Sequence, residues 1–109
     1  MSDSPKVTWY GLSGTRYTYS VHDLDASFME EPGNYIFAAP DSAGEWFALY
    51  IGQSSDLGDR LSNHEKEEYA IKNGATHIHA HINSRGEQAR LDEEEDLIKH
   101  HLPLCNKRL

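Results

Sequence analysis

Five side chains stand out for their types and spacing in a sequence of 109 residues. Tyr35 and Tyr50 lie on two consecutive strand-like segments, Arg60 and His64 lie four positions apart on the helix-like segment that follows, and Glu94 lies in a later helix. Polar groups of this kind, set on otherwise core-forming elements, are what a metal-dependent phosphodiester chemistry needs. Each has a plainer account when taken singly. Tyrosine is common in strands, and an arginine on a helix is usually a solvated surface charge. It is the spacing between them that raises their weight.

Glu94 emerges from a run of five acids, Asp92 to Asp96. Projected at about 100° per residue, Leu91, Leu97 and Ile98 define an apolar stripe. Glu94 falls within that arc, Glu95 at its rim, and Asp92, Glu93 and Asp96 outside it. A carboxylate on the core-facing side is costly unless a cation or donors compensate it, which singles out Glu94 as a metal ligand. A zinc site on His77, His79 and His81, which alternate along one strand, is the competing metal proposal. It lacks a nearby cysteine or fourth ligand, so a polar strand face lining a groove is the better account of the three.

The elements that must position these groups follow from pattern. Val7 to Tyr10 and Arg16 to Val21, rich in Thr, Tyr and Val around Gly11-Leu12-Ser13-Gly14, predict a hairpin. Pro32-Gly33 resets the chain after a stretch without period. Asn34 to Ala39 alternates, with Tyr35, Phe37 and Ala39 on one face and Ile36 and Ala38 on the other. Trp46 to Gly52 is its antiparallel partner, with Phe47, Leu49 and Ile51 on one face and Trp46, Ala48 and Tyr50 on the other. Asp56 as N-cap and Asn73-Gly74 as stop frame a helix of about four turns, with Leu57 and Leu61 against the sheet. Thr76 to Ile82 is a strand with Ile78, Ala80 and Ile82 inward. Ser84 to Glu87 is a capping box for a helix running to His100 and ended by Pro103.

The length fits one domain, and the composition supports a core, which excludes wholesale disorder. A net charge of -8, from 18 acids against 10 bases, opposes a polyanion. One cysteine, Cys105, excludes an internal disulfide. The absence of a long apolar run or a signal-like N-terminus predicts a cytoplasmic protein without membrane contact.

The chain resembles the GIY-YIG nuclease superfamily. Its first motif is present as Gly33-Asn34-Tyr35, with asparagine where isoleucine or valine is usual, and its second as Tyr50-Ile51-Gly52. Arg60 within SSDLGDRL, His64, and Glu94 before the Leu97-Ile98 pair, Pro103 and Asn106 complete the match, which spans residues 33–107. The resemblance implies an α+β fold: a three-stranded antiparallel sheet flanked by helices, here with an extra N-terminal hairpin in residues 1–32 and the nuclease-like domain in 33–109, standing alone. It implies hydrolysis of DNA phosphodiester bonds by in-line attack of water, with a single Mg²⁺ or Mn²⁺ held by Glu94 and with Arg60 steadying negative charge. Tyr35 would take a proton from water, Tyr50 and His64 would position or relay, and Gly33, Gly52 and Asn106 would support the site. A free phenol titrates near 10, so Tyr35 serves as a base at neutral pH only if its pKa is lowered, by Arg60 and the metal, or if metal-bound water relays the proton.

Three departures qualify the resemblance. Gln53 stands where several members carry lysine, an attached DNA-binding domain of the kind many members have is not expected, and the basic residues are scattered. They predict weak, salt-sensitive binding to nucleic acid unless a protein partner or homodimerisation helps. The alternative is a binding or interaction module that kept the fold and lost efficient turnover.

Overall fold

In this computed structural model, residues 4–62 and 67–108 are described. They form one five-stranded antiparallel sheet. Its strands are β1 (Lys6–Tyr10), β2 (Arg16–Asp23), β3 (Gly33–Pro40), β4 (Trp46–Ser54) and β5 (His77–Ile82), in the order β1-β2-β5-β3-β4. The expected three-stranded core is β4, β3 and β5. The hairpin is not an appendage to it, because β2 pairs with β5 from Ser20 opposite Ala80 to Asp23 opposite His77. That pairing takes up the edge hydrogen bonds that β5 would otherwise present to water. Gly14, at φ +89°, closes the hairpin turn by donating to the Gly11 carbonyl.

Helices cover both faces. α1 (Leu57–Ser62) and α2 (Glu68–Lys72) lie over one face, and α3 (Glu87–His101) over the other, packed chiefly on β4; a 3₁₀ turn, Leu104–Arg108, closes the chain. The first face buries Tyr35, Phe37, Leu49, Leu57, Leu61 and Ile78. The second buries Trp9, Tyr19, Ile36, Ala48, Ile51 and Leu97. Asp56 caps α1 as expected, its carboxylate accepting the Asp59 N–H at 3.0 Å. The single helix expected between Asp56 and Asn73 is described as α1 and α2, and residues 63–66 between them, including His64, lie outside the described residues. Gly74, at φ +115°, follows α2 as the expected stop.

Strict alternation along β4 fails. The ladder pairs Phe37 with Tyr50 but Ala38 with Ala48, so Leu49 is bulged out of register. A bulge sends two consecutive side chains to the same side. Leu49 and Tyr50 accordingly pack together with the Tyr35 cluster, while Ile51 joins Trp46 and Ala48 on the other face. The expected grouping of Leu49 with Ile51, and of Tyr50 with Trp46 and Ala48, is corrected by that one extra residue.

Two expectations about α3 are also corrected. The helix starts at Glu87 behind Gly86 at φ 113°, with no side-chain cap, and Ser84 lies outside it. The Asn83 carbonyl oxygen of the side chain instead accepts the Arg85 N–H at 3.2 Å and shapes the approach. The buried stripe of α3 is Arg90, Glu93 and Leu97, with Leu91 turned toward solvent. Glu93, projected to face outward, is 2% exposed because donors from other elements converge on it. Tyr19 Oη donates at 2.6 Å, Asn83 Nδ2 at 3.1 Å, and His81 Nδ1 lies at 2.8 Å. A helix projection cannot see such partners.

The three strand histidines have separate environments. His77 Nδ1 meets Thr76 Oγ1 at 2.8 Å, His81 meets Glu93, and His79 is fully buried between the Trp9 and Trp46 rings. The described residues contain no cluster of three or more His, Cys, Asp or Glu able to hold a metal. His79 Nδ1 accepts the Trp9 indole N–H at 2.9 Å, so the neutral ring carries its own proton on Nε2. That Nε2 is buried without a partner among the described residues. Burial, followed by His77 and His22, pulls the His79 pKa down from 6.5 to about 4. Because the folded state resists protonation, the stabilisation is present above pH 6.5 and lost as pH falls toward 4, on the order of 3 kcal/mol. Urea unfolding followed at pH 7 and at pH 4.5 should show that loss, and it should be smaller in His79→Gln.

Candidate active site

The site is built on the register of β3 and β4. Tyr35 pairs across the ladder with Gly52. Its phenol leans over that glycine so closely that a Cβ there would sit 2.5 Å from Tyr35 Cζ and Oη. Gly52 is thus the space in which the Tyr35 ring lies. Gly33 has a similar reason, since a Cβ there would be 2.5 Å from the His81 carbonyl oxygen and 2.7 Å from Leu57 Cδ1. The pairing of Tyr50 with Phe37, two residues on from Tyr35, puts Tyr50 on the same face, with the two tyrosine rings 6.2 Å apart and inclined at 33°.

α1 delivers Arg60 to this pair. Its guanidinium carbon is 5.8 Å from the centre of the Tyr35 ring, within cation–π range, and a quarter of the side chain remains exposed. Arg60 is further held by Glu67, a wholly buried residue immediately before α2. Arg60 Nη1 donates to Glu67 Oε1 at 3.3 Å, Nη2 forms an ion pair with Oε2, and Tyr35 Oη donates to Oε2 at 3.1 Å. Tyr35, Tyr50, Arg60 and Glu67 therefore form one cluster.

Its electrostatics fix the protonation states. Burial, then Glu67 and Tyr50, push the Tyr35 pKa well above 10, and the opposing pull of Arg60 is too small to reverse this. Burial also raises Tyr50 despite Arg60 beside it. Burial alone would lower Arg60, yet Tyr35, Glu67 and Tyr50 around it hold its pKa above the usual value. Both phenols are therefore neutral donors at pH 7. The lowered Tyr35 pKa that a phenolate base would require is not what this protein environment provides.

Glu94 stands half-buried on α3 and makes no hydrogen bond or ion pair among the described residues. Burial raises its pKa, and its charge is felt at Tyr50. A half-buried carboxylate without a compensating donor suits a cation held mainly through one protein group. Mg²⁺ is commonly bound that way, through one or two carboxylates and its own waters. Glu94 thus fits such an ion, and the lack of a larger ligand cluster does not oppose it.

Other sequence-selected residues among those described have definite places. Asn106 grips the exposed edge of β4, its Oδ1 accepting the Ile51 N–H at 2.8 Å and its Nδ2 donating to the Ile51 carbonyl at 2.9 Å. This fastens the chain end beside Tyr50. Gln53 accepts from Arg90 Nε at 3.0 Å, so a buried guanidinium approaches the position that lacks a lysine. The unusual Asn34 is fully buried, donating to the Arg90 carbonyl at 2.9 Å and accepting from Asn83. Sequence reasoning missed Glu67. It lies in the charged run Glu65-Lys66-Glu67-Glu68, and its only signal is a three-residue spacing to buried Ala70.

The chain is similar to solved structures of the GIY-YIG N-terminal endonuclease domain of UvrC from Thermotoga maritima. A point mutant of that domain bound to its catalytic divalent cation aligns at 28% identity and TM-score 0.57, covering 71% of this chain and 83% of that one. The magnesium-bound structure aligns at 28% identity and TM-score 0.56, covering 71% and 84%. A tyrosine-to-phenylalanine mutant, also with the catalytic divalent cation, aligns at 27% and 0.56, covering 71% and 83%. No family model and no curated protein matches the chain.

The close approach at Gly52 makes Gly52→Ala a direct probe of the cluster. The added methyl must displace the Tyr35 ring, at a cost of about 1–3 kcal/mol in stability. The urea midpoint should fall accordingly, and the Tyr35 ring resonances should shift while those of Tyr19, across the sheet, stay in place.

Proposed function

We propose, for a chain that belongs to the GIY-YIG nuclease superfamily, that it is a divalent-metal-dependent endonuclease hydrolysing DNA phosphodiester bonds. The observation that carries the proposal is the convergence of Tyr35, Tyr50 and Arg60 on one sheet face, with the uncompensated carboxylate of Glu94 in electrostatic reach. Residues 33–109 are the proposed nuclease unit, and residues 1–32 its extension. The proposed compartment is the cytoplasm. No helix among the described residues is long and apolar enough to cross a membrane.

Glu94 is the residue that would hold Mg²⁺ or Mn²⁺. When bound, the cation supplies charge neutralisation at the scissile phosphate and its leaving oxygen. Arg60 offers the planar donor fork suited to two phosphate oxygens, with its other edge fixed by Glu67. It would stabilise negative charge as attack proceeds. Tyr35 and Tyr50, neutral at pH 7, would orient the attacking water and the phosphate by hydrogen bonding. Asn106, through Ile51, would keep Tyr50 and its strand in register. His64 is proposed as a further positioning group, and it lies outside the described residues.

A second reading, a binding module with little turnover, is favoured by one observation, the net charge of -8. Phosphate contacts supply most non-specific affinity, so association with DNA alone should be weak and steeply salt-dependent. A protein partner or homodimer would be one route around that. Nicking of supercoiled plasmid separates the two readings. The nuclease predicts nicking with Mg²⁺ that chelator abolishes. It also predicts a fall of about 100- to 1,000-fold in Arg60→Ala that Arg60→Lys does not restore, and loss to background in Glu94→Ala. Equal nicking by wild type and Glu94→Ala would contradict it.

A further inference from the structure

Glu67 is a wholly buried carboxylate, and burying an anion is costly unless partners compensate it. Both its oxygens are engaged, and both partners belong to the site: Arg60 from α1 and Tyr35 from β3. It makes no other hydrogen bond or ion pair among the described residues. A carboxylate serving only to fasten α2 would gain as much from a solvent-facing position and one backbone donor. This one is instead drawn in behind the two groups nearest the chemistry.

Resting on the nuclease reading, we propose that Glu67 is the positioning residue that makes Tyr35 a proton relay, accepting the phenolic proton as Tyr35 takes one from the attacking water. The proton account balances without a phenolate. A water O–H bond breaks, and its proton goes to Tyr35 Oη. The Tyr35 O–H bond breaks, and that proton goes to Glu67 Oε2 along the existing 3.1 Å hydrogen bond. The water oxygen forms the new bond to phosphorus, and the bond to the leaving oxygen breaks with its electron pair, that oxygen then taking a proton from solvent. Tyr35 is neutral before and after, and Glu67 returns its proton through Tyr35 to water. This route avoids the phenolate that burial makes unfavourable.

The ion pair couples the relay to the phosphate. While Glu67 is anionic it compensates the Arg60 guanidinium. As Glu67 is neutralised, that positive charge loses its internal partner when negative charge is growing on the phosphate. The same carboxylate thus holds the arginine in place beforehand and releases its field during attack.

Plasmid-nicking kinetics of wild type, Glu67→Gln and Glu67→Asp, each checked for folding by its thermal midpoint, test the inference. Glutamine keeps the shape and one acceptor for Arg60 but cannot take the proton. Glu67→Gln is expected to lose about 100-fold or more in kcat with KM within about twofold. Glu67→Asp, which keeps a carboxylate able to take the proton, should retain more of the wild-type kcat than Glu67→Gln does. In the metal-free protein, Tyr35 should titrate at lower pH in Glu67→Gln than in wild type, because the facing carboxylate is gone. Equal kcat in Glu67→Gln and wild type, a change in KM alone, or an unmoved Tyr35 titration would overturn the role of Glu67 and leave the nuclease reading standing. A wild type that nicks no DNA would overturn both. If Glu67→Gln does not fold, Glu67→Asp decides: wild-type kcat in that variant, whose shorter side chain draws the carboxylate away from Tyr35 Oη, contradicts the relay.

Discussion

The antiparallel pairing of β3 with β4, with its single bulge at Leu49, is the constraint on which the candidate site depends. The register sets Tyr35 over Gly52 and Tyr50 opposite Phe37 on the same face, and the bulge lets Leu49 join them there. Beyond Tyr50 the extra residue shifts the phase of β4, so that Trp46 and Ala48 lie with Ile51 on the α3 side and Tyr50 does not. The register thus brings two phenols from different strands to within 6.2 Å. Bulges are common where a sheet must re-aim a side chain, and this one has that effect.

Two buried carboxylates extend this arrangement to the helices. Glu67 ties α1 and β3 together on one face, through Arg60 and Tyr35. Glu93 ties α3 to β2 and β5 on the other, through Tyr19, His81 and Asn83. Each anion is compensated by hydrogen bonds that satisfy its oxygens, which is the condition under which burial is tolerated. Glu94 differs, having no such donors among the described residues. The contrast between neighbouring glutamates on one helix, one satisfied by protein and one not, is the physical basis for proposing Glu94 as the ligand of a cation. It also explains why the N-terminal hairpin belongs to the structure: Tyr19 on β2 supplies the shortest hydrogen bond to Glu93.

Much of this was legible in the sequence. Strand positions followed from alternation and β-propensity, the α1 start from Asp56, and the α2 stop from Asn73-Gly74. Tyr35 and Tyr50 stood out on consecutive strands, although simple alternation had grouped Tyr50 with the wrong neighbours on β4. What was not legible depended on contacts between distant segments. The five-stranded order requires knowing that β2 meets β5. The inward turn of Glu93 requires Tyr19 and Asn83, and the displaced start of α3 requires the Asn83 side chain. Glu67 was hidden within a charged run that reads as solvated surface. Periodicity reports the average face of an element, and a buried polar group is fixed by partners that periodicity does not contain.

The acidic surface and the compact site are compatible if the cation, rather than a basic groove, provides the decisive attraction for a phosphate. The central claim is then that one divalent ion binds at Glu94, beside Tyr50 and Arg60. Substoichiometric Mn²⁺ added to isotope-labelled protein tests this without any substrate, by paramagnetic broadening of resonances near the ion. The account predicts broadening centred on Glu94 and Tyr50, extending to Arg60, displaced by Mg²⁺ and absent in Glu94→Ala. Broadening centred on the His77–His81 strand, or a pattern unchanged in Glu94→Ala, would contradict it.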